Sequence, residues 1–536
     1  MLDPDPQPGA ASEQIRFVSS AQVYERCVPA DHPLRKIQAS LDLSFVRAIV
    51  AERYDPHGGR YAIEPELFAR ITLLQYLENL PDRETVKRCA SDLAWKWFLG
   101  LEFDALAPLD YSTLSRIRSR YGEEACWQMS QGLLAQAREH HLIGDELHLY
   151  DSAESVANAA WLNLVQLVRT ICERLVAALE AVLTVEEHEA LVAQQTELRE
   201  DTSWYHSQTQ KDAHLQRWSV VCQELVERAE AILSRPGGVK KRANWKRVSK
   251  QLRHELAVAG HFLAAPAPRR KGGKKDRLCS PTDPDARRAD RRKGKVRQGY
   301  RPHVAMDHQS RLVVAADATA LNGEDGAQLP GLVAAAAAQG HVPQEACADS
   351  AYADGENRAL LAEKKIVTHI PQPRPKASKK GLYIATDFQY DPEAHAVTCP
   401  AGQVCGNAKP RQGGGWHFYY LKQTCAGCPH RAQCIAEGET RGRTVYVGEH
   451  RALQDEATEH QRTPEHKAAM RKRLAIESKL AEMLNVHGLR HCRYRSLARF
   501  KIQLYLTVIA VNAKRIAELL AQKRKAGAAA GLARAA

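Results

Sequence analysis

The order of apolar segments between residues 146 and 370 is the feature that most constrains the fold of this 536-residue chain. Three strand-patterned runs come first, and helix-patterned and strand-patterned runs then alternate. In chain order these are strands at 146–151, 303–307 and 312–316, a helix at 326–339, a strand at 344–349, a helix at 354–364 and a strand at 366–370. A further helix-patterned stretch follows at 471–477. This order predicts a mixed sheet covered by helices.

Strand, strand, strand, helix, strand, helix, strand, helix is the order of an RNase H-like fold. We therefore predict an α/β RNase H-like domain with a mixed sheet over residues 146–526, in which the first and fourth strands are neighbours. Three segments interrupt it, namely a helical insertion at 153–265, a basic linker at 266–298 and a small Cys-rich insertion at 371–462.

Helical periodicity also dominates the first part of the chain. Leu67, Ile71, Leu74 and Leu77 follow one another at helical spacing, and Pro65 suits the first turn of their helix. We predict a helical N-terminal domain over residues 1–145. The alanine-rich segment 527–536 is of low complexity, and we predict a disordered tail there.

Two acids come at the ends of predicted strands, and a third lies on a predicted helix. Asp151 ends the first strand, Asp349 ends the fourth, and Glu477 belongs to the stretch 471–477. Ligands of open α/β sheets gather at the carboxyl ends of the strands. Mg²⁺ prefers such hard oxygen ligands, and a pair of these ions can activate an attacking oxygen and stabilise a leaving one. Taken singly, any one of the 63 acids in the chain is usually a solvated charge or a cap.

The charge distribution indicates a nucleic-acid partner. The net charge is +13, and residues 269–297 hold 13 Lys or Arg against 4 Asp. Basic surfaces bind DNA by releasing its counterions, although such a run is also typical of a solvated linker. A predicted helix at 112–121 could read DNA or only pack in a bundle. The DNA-binding residues that we expect are Arg116, Arg118, Arg473, Arg490 and Arg493.

Several motifs, taken in order, resemble those of the DDE-type transposases of bacterial insertion sequences, over nearly the whole chain. They are Asp31-His32-Pro33-Leu34-Arg35, Trp97-Phe98-Leu99-Gly100-Leu101, Tyr111-Ser112-Thr113-Leu114-Ser115-Arg116, Asp151-Ser152-Ala153, Gly299-Tyr300 and Ala348-Asp349-Ser350-Ala351-Tyr352. Arg473 and Glu477 fit the Tyr-x-x-Arg-x-x-x-Glu pattern of the hairpin-forming branch, whereas Met470 occupies its Tyr position. Glu482 is a rival third acid, but only Glu477 has Arg473 one turn before it.

The resemblance implies a DNA transposase. Such an enzyme binds the terminal inverted repeats of its element, cleaves the element ends and joins them to target DNA. It implies that Asp151, Asp349 and Glu477 bind Mg²⁺ or Mn²⁺, and we expect a homodimer in the active complex. The likeness to the hairpin-forming branch suggests a hairpin intermediate on the element end. The alternatives are a metal-dependent nuclease or resolvase on the same fold, and a catalytically inactive DNA-binding regulator.

Five cysteines cluster in the insertion, and four of them have spacing suited to a tetrahedral zinc site. Cys425-x-x-Cys428 lets two thiolates reach one ion, Cys434 and Cys399 complete the set, and Cys405 is a spare. Little in the Gly-rich surroundings can form a core, so a structural Zn²⁺ would supply it. The alternatives are a redox pair and a degenerate site without metal.

Targeting signals are missing from the sequence. It has no run of 18 apolar residues, and its first residues lack the basic and apolar regions of a signal peptide. We expect a cytoplasmic, nucleoid-associated protein that does not enter the membrane.

Overall fold

The structure is a computed structural model. It describes residues 19–55, 62–202, 207–234, 244–264, 277–290, 296–373, 381–412 and 414–535. The described chain forms two compact units, one from residues 1–142 with 509–536 and the other from residues 143–508. No described helix is long and apolar enough to cross a membrane.

Helices dominate both units. They are α1 Ser20–Cys27, α2 Pro33–Gln38, α3 Phe45–Val50, α4 Pro65–Leu77, α5 Asp82–Ser91, α6 Leu93–Leu99, α7 Tyr111–Glu139, α8 Leu164–Leu179, α9 Val185–Glu200, α10 Gln208–Ser234, α11 Trp245–Ala264, α12 Leu329–Ala338, α13 Gly355–Glu363, α14 Lys422–Ala426, α15 Arg431–Cys434, α16 Arg451–His460, α17 Pro464–Lys472, α18 Leu474–Asn485 and α19 Leu497–Ala535.

The strands all lie in the second unit. They are β1 Leu147–Ser152, β2 Ser155–Val156, β3 Arg287–Asp290, β4 Val296–Asp307, β5 Val313–Ala320, β6 Glu345–Cys347, β7 Val367–His369, β8 Gln389–Asp391, β9 Ala396–Thr398, β10 Val404–Cys405, β11 Ala408–Pro410, β12 Trp416–Tyr419 and β13 Thr444–Val447.

The first unit is helical, as predicted for the N-terminal region. Its longest early helix, α7, begins after Asp110, whose side chain accepts hydrogen bonds from the backbone N–H groups of Ser112 and Thr113. This helix runs well beyond the predicted segment 112–121, although Gly122 interrupts its helical backbone with a φ of 68°. The side chain of Phe45 lies where a Cβ at Gly132 would project, so α3 approaches α7 too closely for any larger residue there.

The main sheet is mixed, which confirms the predicted α/β class. Its central order is β5–β4–β1–β6–β7, and the short strands β2 and β3 also pair with β4. β4 runs antiparallel to β1 and β5, whereas β6 and β7 run parallel to β1. β1 is buried along most of its length, as expected of a strand covered on both faces.

Four helices, α8 to α11, occupy the segment predicted as a helical insertion. They form their own core around Cys172, Leu175 and Trp218. Capping boxes at Asn163 and Thr184 begin the first two of them. The basic run that follows lies largely outside the described residues, which resume at 277–290 and again at 296.

Two small antiparallel sheets form most of the Cys-rich segment. One has the order β10–β9–β8 and the other β11–β12–β13. They share a compact core that includes Phe388, Val397, Phe418 and Cys425. The segment therefore has more apolar material to bury than its glycine-rich sequence suggested.

The last helix departs from the prediction of a disordered tail. α19 continues through the alanine-rich segment to Ala535, because alanine, arginine and lysine are among the strongest helix formers. The boundary of the α/β domain differs as well. Residues 509–536 belong to the first unit, whereas the prediction assigned residues up to 526 to the α/β domain.

Candidate active site

The first two predicted acids lie at the same edge of the main sheet. β1 and β6 are parallel neighbours, and Leu149 is paired with Cys347 two residues before each acid. Asp151 is still within β1, and its carboxylate accepts a hydrogen bond of 2.8 Å from the backbone N–H of Ser152. β6 ends earlier than predicted, so Asp349 instead begins a short 3₁₀ turn and accepts a 2.8 Å bond from the N–H of Ala351.

The third acid is joined to the first through an arginine. Arg473 donates one hydrogen bond of 2.9 Å to Oδ2 of Asp151 and another of 2.6 Å to Oε1 of Glu477. It lies at the junction where α17 ends and α18 begins. The two ion pairs therefore connect β1 with a helix that follows it by more than 300 residues.

Burial and charge act against each other at Asp151. Its side chain is only 15% exposed, whereas that of Glu477 is 47% exposed. Burial raises the pKa of Asp151, and the nearby carboxylate of Asp349 adds to that shift, while Arg473 opposes it. The arrangement concentrates negative charge that one arginine only partly neutralises. Hard oxygen donors of this kind fit a divalent cation such as Mg²⁺.

Glu482, the rival third acid, faces a different set of residues. It forms an ion pair of 2.7 Å with Lys479, and its other oxygen lies 3.7 Å from His487. Glu477 is therefore the acid on α18 that shares Arg473 with Asp151.

A fourth acid, Asp325, lies beside this group and was missed from the sequence. Its two carboxylate oxygens accept hydrogen bonds from Ser152, at 2.7 Å, and from Arg301, at 2.8 Å. Tyr352 is also buried. Burial raises the pKa of its hydroxyl well above the usual value, and the negative charges of Asp325, Asp151 and Asp349 add to that shift. Asp325 stands in a polar turn after β5 that no motif distinguishes, so only the fold reveals it.

The predicted DNA-binding arginines differ in exposure. Arg116 is exposed, but Arg118 is buried, where its guanidinium forms a double hydrogen bond with Asp82 and a further one with Gln75. A guanidinium that is buried and bound to Asp82 and Gln75 cannot reach a phosphate, so the structure does not support a DNA-binding role for Arg118. Arg473 also turns toward carboxylates rather than toward the surface.

The two remaining arginines stay near the surface. Arg490 is partly exposed and donates two hydrogen bonds to the side-chain oxygen of Asn485. Arg493 is also partly exposed, and its backbone N–H is bound to Gln503. Both lie within a few residues of the end of α18.

The four cysteines predicted to bind zinc line one cavity in the Cys-rich segment. They are Cys399, Cys425, Cys428 and Cys434. Burial raises the pKa of Cys434, and the other three thiols add to that shift while Arg443 opposes it, so the four groups are close enough to interact. Cys405 does not line this cavity, and its sulfur lies 3.3 Å from the backbone oxygen of Tyr419. Four thiols that line one cavity are a donor set of the kind a thiolate-preferring ion takes, although no three of these sulfur atoms lie within 4.8 Å of one another.

In the described part of the chain, two groups have three ligand atoms within 4.8 Å of one another. One consists of His369, His460 and His466, and the other of Asp145, His148 and Asp307. Neither group includes a cysteine or one of the three predicted acids.

Two family models match separate parts of the chain. One, described as Transposase domain (DUF772), matches residues 22–120. The other, described as Transposase DDE domain, matches residues 398–517 and so includes Arg473 and Glu477. Comparisons with curated proteins and with solved structures gave no significant match.

Proposed function

This chain is a DDE-type transposase of the insertion-sequence kind, and we propose that it binds the terminal inverted repeats of its element, cleaves the element ends and joins them to target DNA. The observation that carries the proposal is the double ion pair of Arg473 with Asp151 and Glu477. Asp151 precedes Arg473 by 322 residues, so no local structure brings these two together. Their convergence beside Asp349 supports a catalytic site of three carboxylates.

The strand arrangement supports an RNase H-like catalytic domain. The order β5–β4–β1–β6–β7, with antiparallel pairing on one side of β1 and parallel pairing on the other, is the one expected for that fold. In this domain the central strand carries Asp151 and its parallel neighbour leads to Asp349. Asp151 then extends from the sheet itself and Asp349 from the turn that follows β6, so regular elements position both carboxylates.

Each residue of the site has a distinct role in the proposed mechanism. Asp151, Asp349 and Glu477 would bind Mg²⁺ or Mn²⁺, and the bound ions supply activation of the attacking oxygen and stabilisation of the leaving 3′ oxygen. Arg473 holds Asp151 and Glu477 in one geometry and lessens the repulsion among the acids. Asp325 orients Ser152, the residue that follows Asp151.

Substitution of each acid tests the chemistry. We expect Asp151→Asn, Asp349→Asn and Glu477→Gln to abolish Mg²⁺-dependent cleavage of element-end DNA while DNA binding persists, because each removes a metal ligand and leaves the basic surface. Glu482→Gln is the matched control and should cleave normally. Normal cleavage by Glu477→Gln, with loss in Glu482→Gln, would reverse the assignment of the third acid.

The same assay separates the alternatives. A transposase joins cleaved ends to a second DNA, a nuclease or resolvase on the same fold cleaves without that joining, and a regulator binds without cleaving. Denaturing gels of cleaved ends also test the predicted hairpin intermediate, because this chain has Met470 where the hairpin-forming branch has Tyr.

We further propose that the DNA ends are read by the helical N-terminal unit. Arg116, which is exposed on α7, is a candidate contact there, and Arg490 and Arg493 are candidates beside the catalytic acids. The basic run at 269–297 would add DNA affinity that does not depend on base sequence. Contacts with phosphates position a protein on DNA, whereas contacts with base edges recognise the sequence. A homodimer would bring two such units to the two element ends.

We also propose one structural Zn²⁺ bound by Cys399, Cys425, Cys428 and Cys434. Metal analysis of the purified chain should find this ion, and Cys428→Ser should remove it. Cys27→Ser, which changes an exposed cysteine far from the cluster in sequence, should retain it. Retention of the ion by Cys399→Ser, with loss in Cys405→Ser, would show that Cys405 is the fourth ligand.

A further inference from the structure

Three histidines from three different elements meet beside the outer strand of the main sheet. His369 ends β7, His460 ends α16, and His466 lies in the first turn of α17. One ligand nitrogen from each lies within 4.8 Å of the other two. His369 and His466 are almost completely buried, at 3% and 5% exposed. Histidines are infrequent in such surroundings unless their nitrogens have partners.

The spacing of the nitrogens agrees with that of metal ligands. Nδ1 of His369 lies 3.2 Å from Nε2 of His460. Two imidazole nitrogens bound to one tetrahedral Zn²⁺, each at about 2.0–2.1 Å, are separated by roughly 3.3 Å. A direct hydrogen bond between the two rings would give a similar distance, so this contact alone does not decide between them.

The other nitrogen of His369 has the partner that metal-binding histidines usually have. Its Nε2 lies 3.1 Å from a carboxylate oxygen of Glu345, at the start of β6. A carboxylate that accepts the N–H of one ring nitrogen fixes the tautomer and leaves the lone pair of the other nitrogen free for an ion. Nδ1 of His369, which faces His460, is then the atom with the available lone pair.

His466 distinguishes a metal site from a simple pair of hydrogen-bonded rings. Its Nδ1 is buried and has no hydrogen-bond partner among the described residues. A hydrogen bond between His369 and His460 would leave that nitrogen buried and unsatisfied, which is unfavourable for the folded chain. The ring of His466 lies 5.8 Å from that of His369 and 5.5 Å from that of His460, between centroids. A shared ion would satisfy all three rings at once.

We propose that His369, His460 and His466 bind one transition-metal ion of the zinc class. Imidazole ligands select such ions over Mg²⁺, so this site is distinct in chemistry from the three acids and in position from the four cysteines. Three protein ligands leave a fourth position for water. A cavity lined by residues that include Val367, Glu456 and His460 reaches the group and offers the ion a route from solvent.

The ion would act by holding α17 against the sheet. His466 is near the start of this helix, and Arg473 follows its last residue. Farther along α17, the backbone oxygen of Ala469 accepts a hydrogen bond of 3.6 Å from the thiol of Cys347 on β6. Fixing the start of α17 to β7 and α16 would therefore restrict the helix that leads directly to Arg473 and Glu477.

Metal content of the full-length protein tests the proposal independently of any DNA activity. Purified wild-type chain is dialysed against Zn²⁺ and then against metal-free buffer, and bound zinc is counted. We expect His466→Ala and His460→Gln each to lower the count by one ion per chain. His254→Ala, which changes an exposed histidine of α11, should leave it unchanged.

Cobalt substitution separates this site from the cysteine site. Thiolate-to-cobalt charge-transfer absorption should persist in His466→Ala and disappear in Cys428→Ser, because only the cysteine site has sulfur ligands. Two histidine variants are measured because one of them could misfold. His466 is buried, whereas His460 is partly exposed at the end of its helix, so His460→Gln should disturb the fold less. Zinc counts equal to wild type in both histidine variants would overturn the proposal.

Discussion

Arg473 has two carboxylate partners and little contact with solvent. Its side chain is 17% exposed, and without it Asp151 would face Asp349 with no cation bound to its own carboxylate in the described structure. Removing one partner of a buried ion pair usually costs more than the pair itself contributes, because the remaining charge stays desolvated. The same arginine therefore matters to stability as well as to the arrangement of the acids.

Replacing Arg473 should reveal this dependence. We expect Arg473→Met to lower the free energy of unfolding by about 1–3 kcal/mol in metal-free buffer, the usual range for lost hydrogen bonds to charged groups. Urea denaturation measures it. Arg471→Met is the matched control, since Arg471 is exposed two residues earlier and should change stability by less than about 0.5 kcal/mol. Equal effects of the two substitutions would contradict the role assigned to Arg473.

The choice of Glu477 over Glu482 shows what spacing can predict at the scale of single residues. Arg473 and Glu477 are four residues apart, which brings their side chains together on one helical face, and their ion pair has formed. The partnership of Arg473 with Asp151 could not be predicted, since nothing in the sequence links positions 322 residues apart. Asp325 was missed for the same reason.

At the scale of elements, α7 explains why Arg118 is not placed to bind DNA. Successive helical residues are rotated by about 100°, so positions two apart point to nearly opposite sides, whereas positions four apart share a face. Arg116 and Arg120 can therefore face solvent together, but Arg118 must point the other way. It points into the first unit, where it binds Asp82 at the start of α5.

This burial predicts a structural rather than a DNA-binding defect. Arg118→Met should lower the free energy of unfolding by about 3 kcal/mol, because Asp82 would lose its cationic partner in a mostly buried setting. Arg116→Met should leave stability within about 0.5 kcal/mol but weaken binding to element-end DNA. Denaturation and competition binding of both variants distinguish these outcomes. A stable Arg118→Met protein with weakened binding would restore the original assignment.

Asp145, which lies just before β1, should make the stability of the folded chain depend on pH. Burial favours the neutral form of Asp145, but hydrogen bonds from His148 and His341 outweigh it and lower the pKa of Asp145 to about 2. An acid whose pKa is depressed by folding stabilises the native state above its unfolded pKa of about 4. That contribution is lost as the pH falls from about 4 to 2.

Asp145→Asn tests this contribution. At pH 7 it should lower the free energy of unfolding by about 2 kcal/mol, and the difference from wild type should shrink as the pH approaches 2. Urea denaturation at several pH values measures the difference. Asp212→Asn, at an exposed position on α10, should show no such trend. A difference that stays constant with pH would mean that shape rather than charge explains the effect.

At the scale of the whole molecule, the first unit needs both ends of the chain. Residues of α19 that are buried include Val511 and Ile516. Within the same unit, Lys523 donates a hydrogen bond of 2.9 Å to the backbone oxygen of His140. Burial of each large aliphatic side chain contributes about 1.5–3 kcal/mol, so the C-terminal residues supply a substantial part of this unit's core.

Truncation tests that dependence. A chain ending at residue 508 should lose the folded first unit, seen as rapid proteolysis within residues 19–142 and loss of preference for element ends. A chain ending at residue 527 removes only the alanine-rich end and is the matched control. It should resist proteolysis like the full chain. Resistance in both truncated chains would show that residues 1–142 fold without the C-terminal helix.

The fold and its divisions were not equally predictable. The order of strands and helices follows from the spacing of apolar residues. The sequence therefore predicted a mixed sheet, and the structure confirmed it. The return of α19 to the first unit was not foreseen, because periodicity shows that a helix has an apolar face but not which partner covers it. Strand ends were also misplaced, as at Asp349, where a local turn replaced the last two residues of the predicted strand.

The long separation between Asp151 and Arg473 has a consequence for the order of events during folding. Contacts between residues far apart in sequence form slowly, since long segments must be brought together first. The proposed acidic site is completed only when α18 reaches the sheet, after all three intervening segments have been synthesised. If the proposed division of roles holds, a partly folded chain binds DNA through its helical unit before its acidic site can cut.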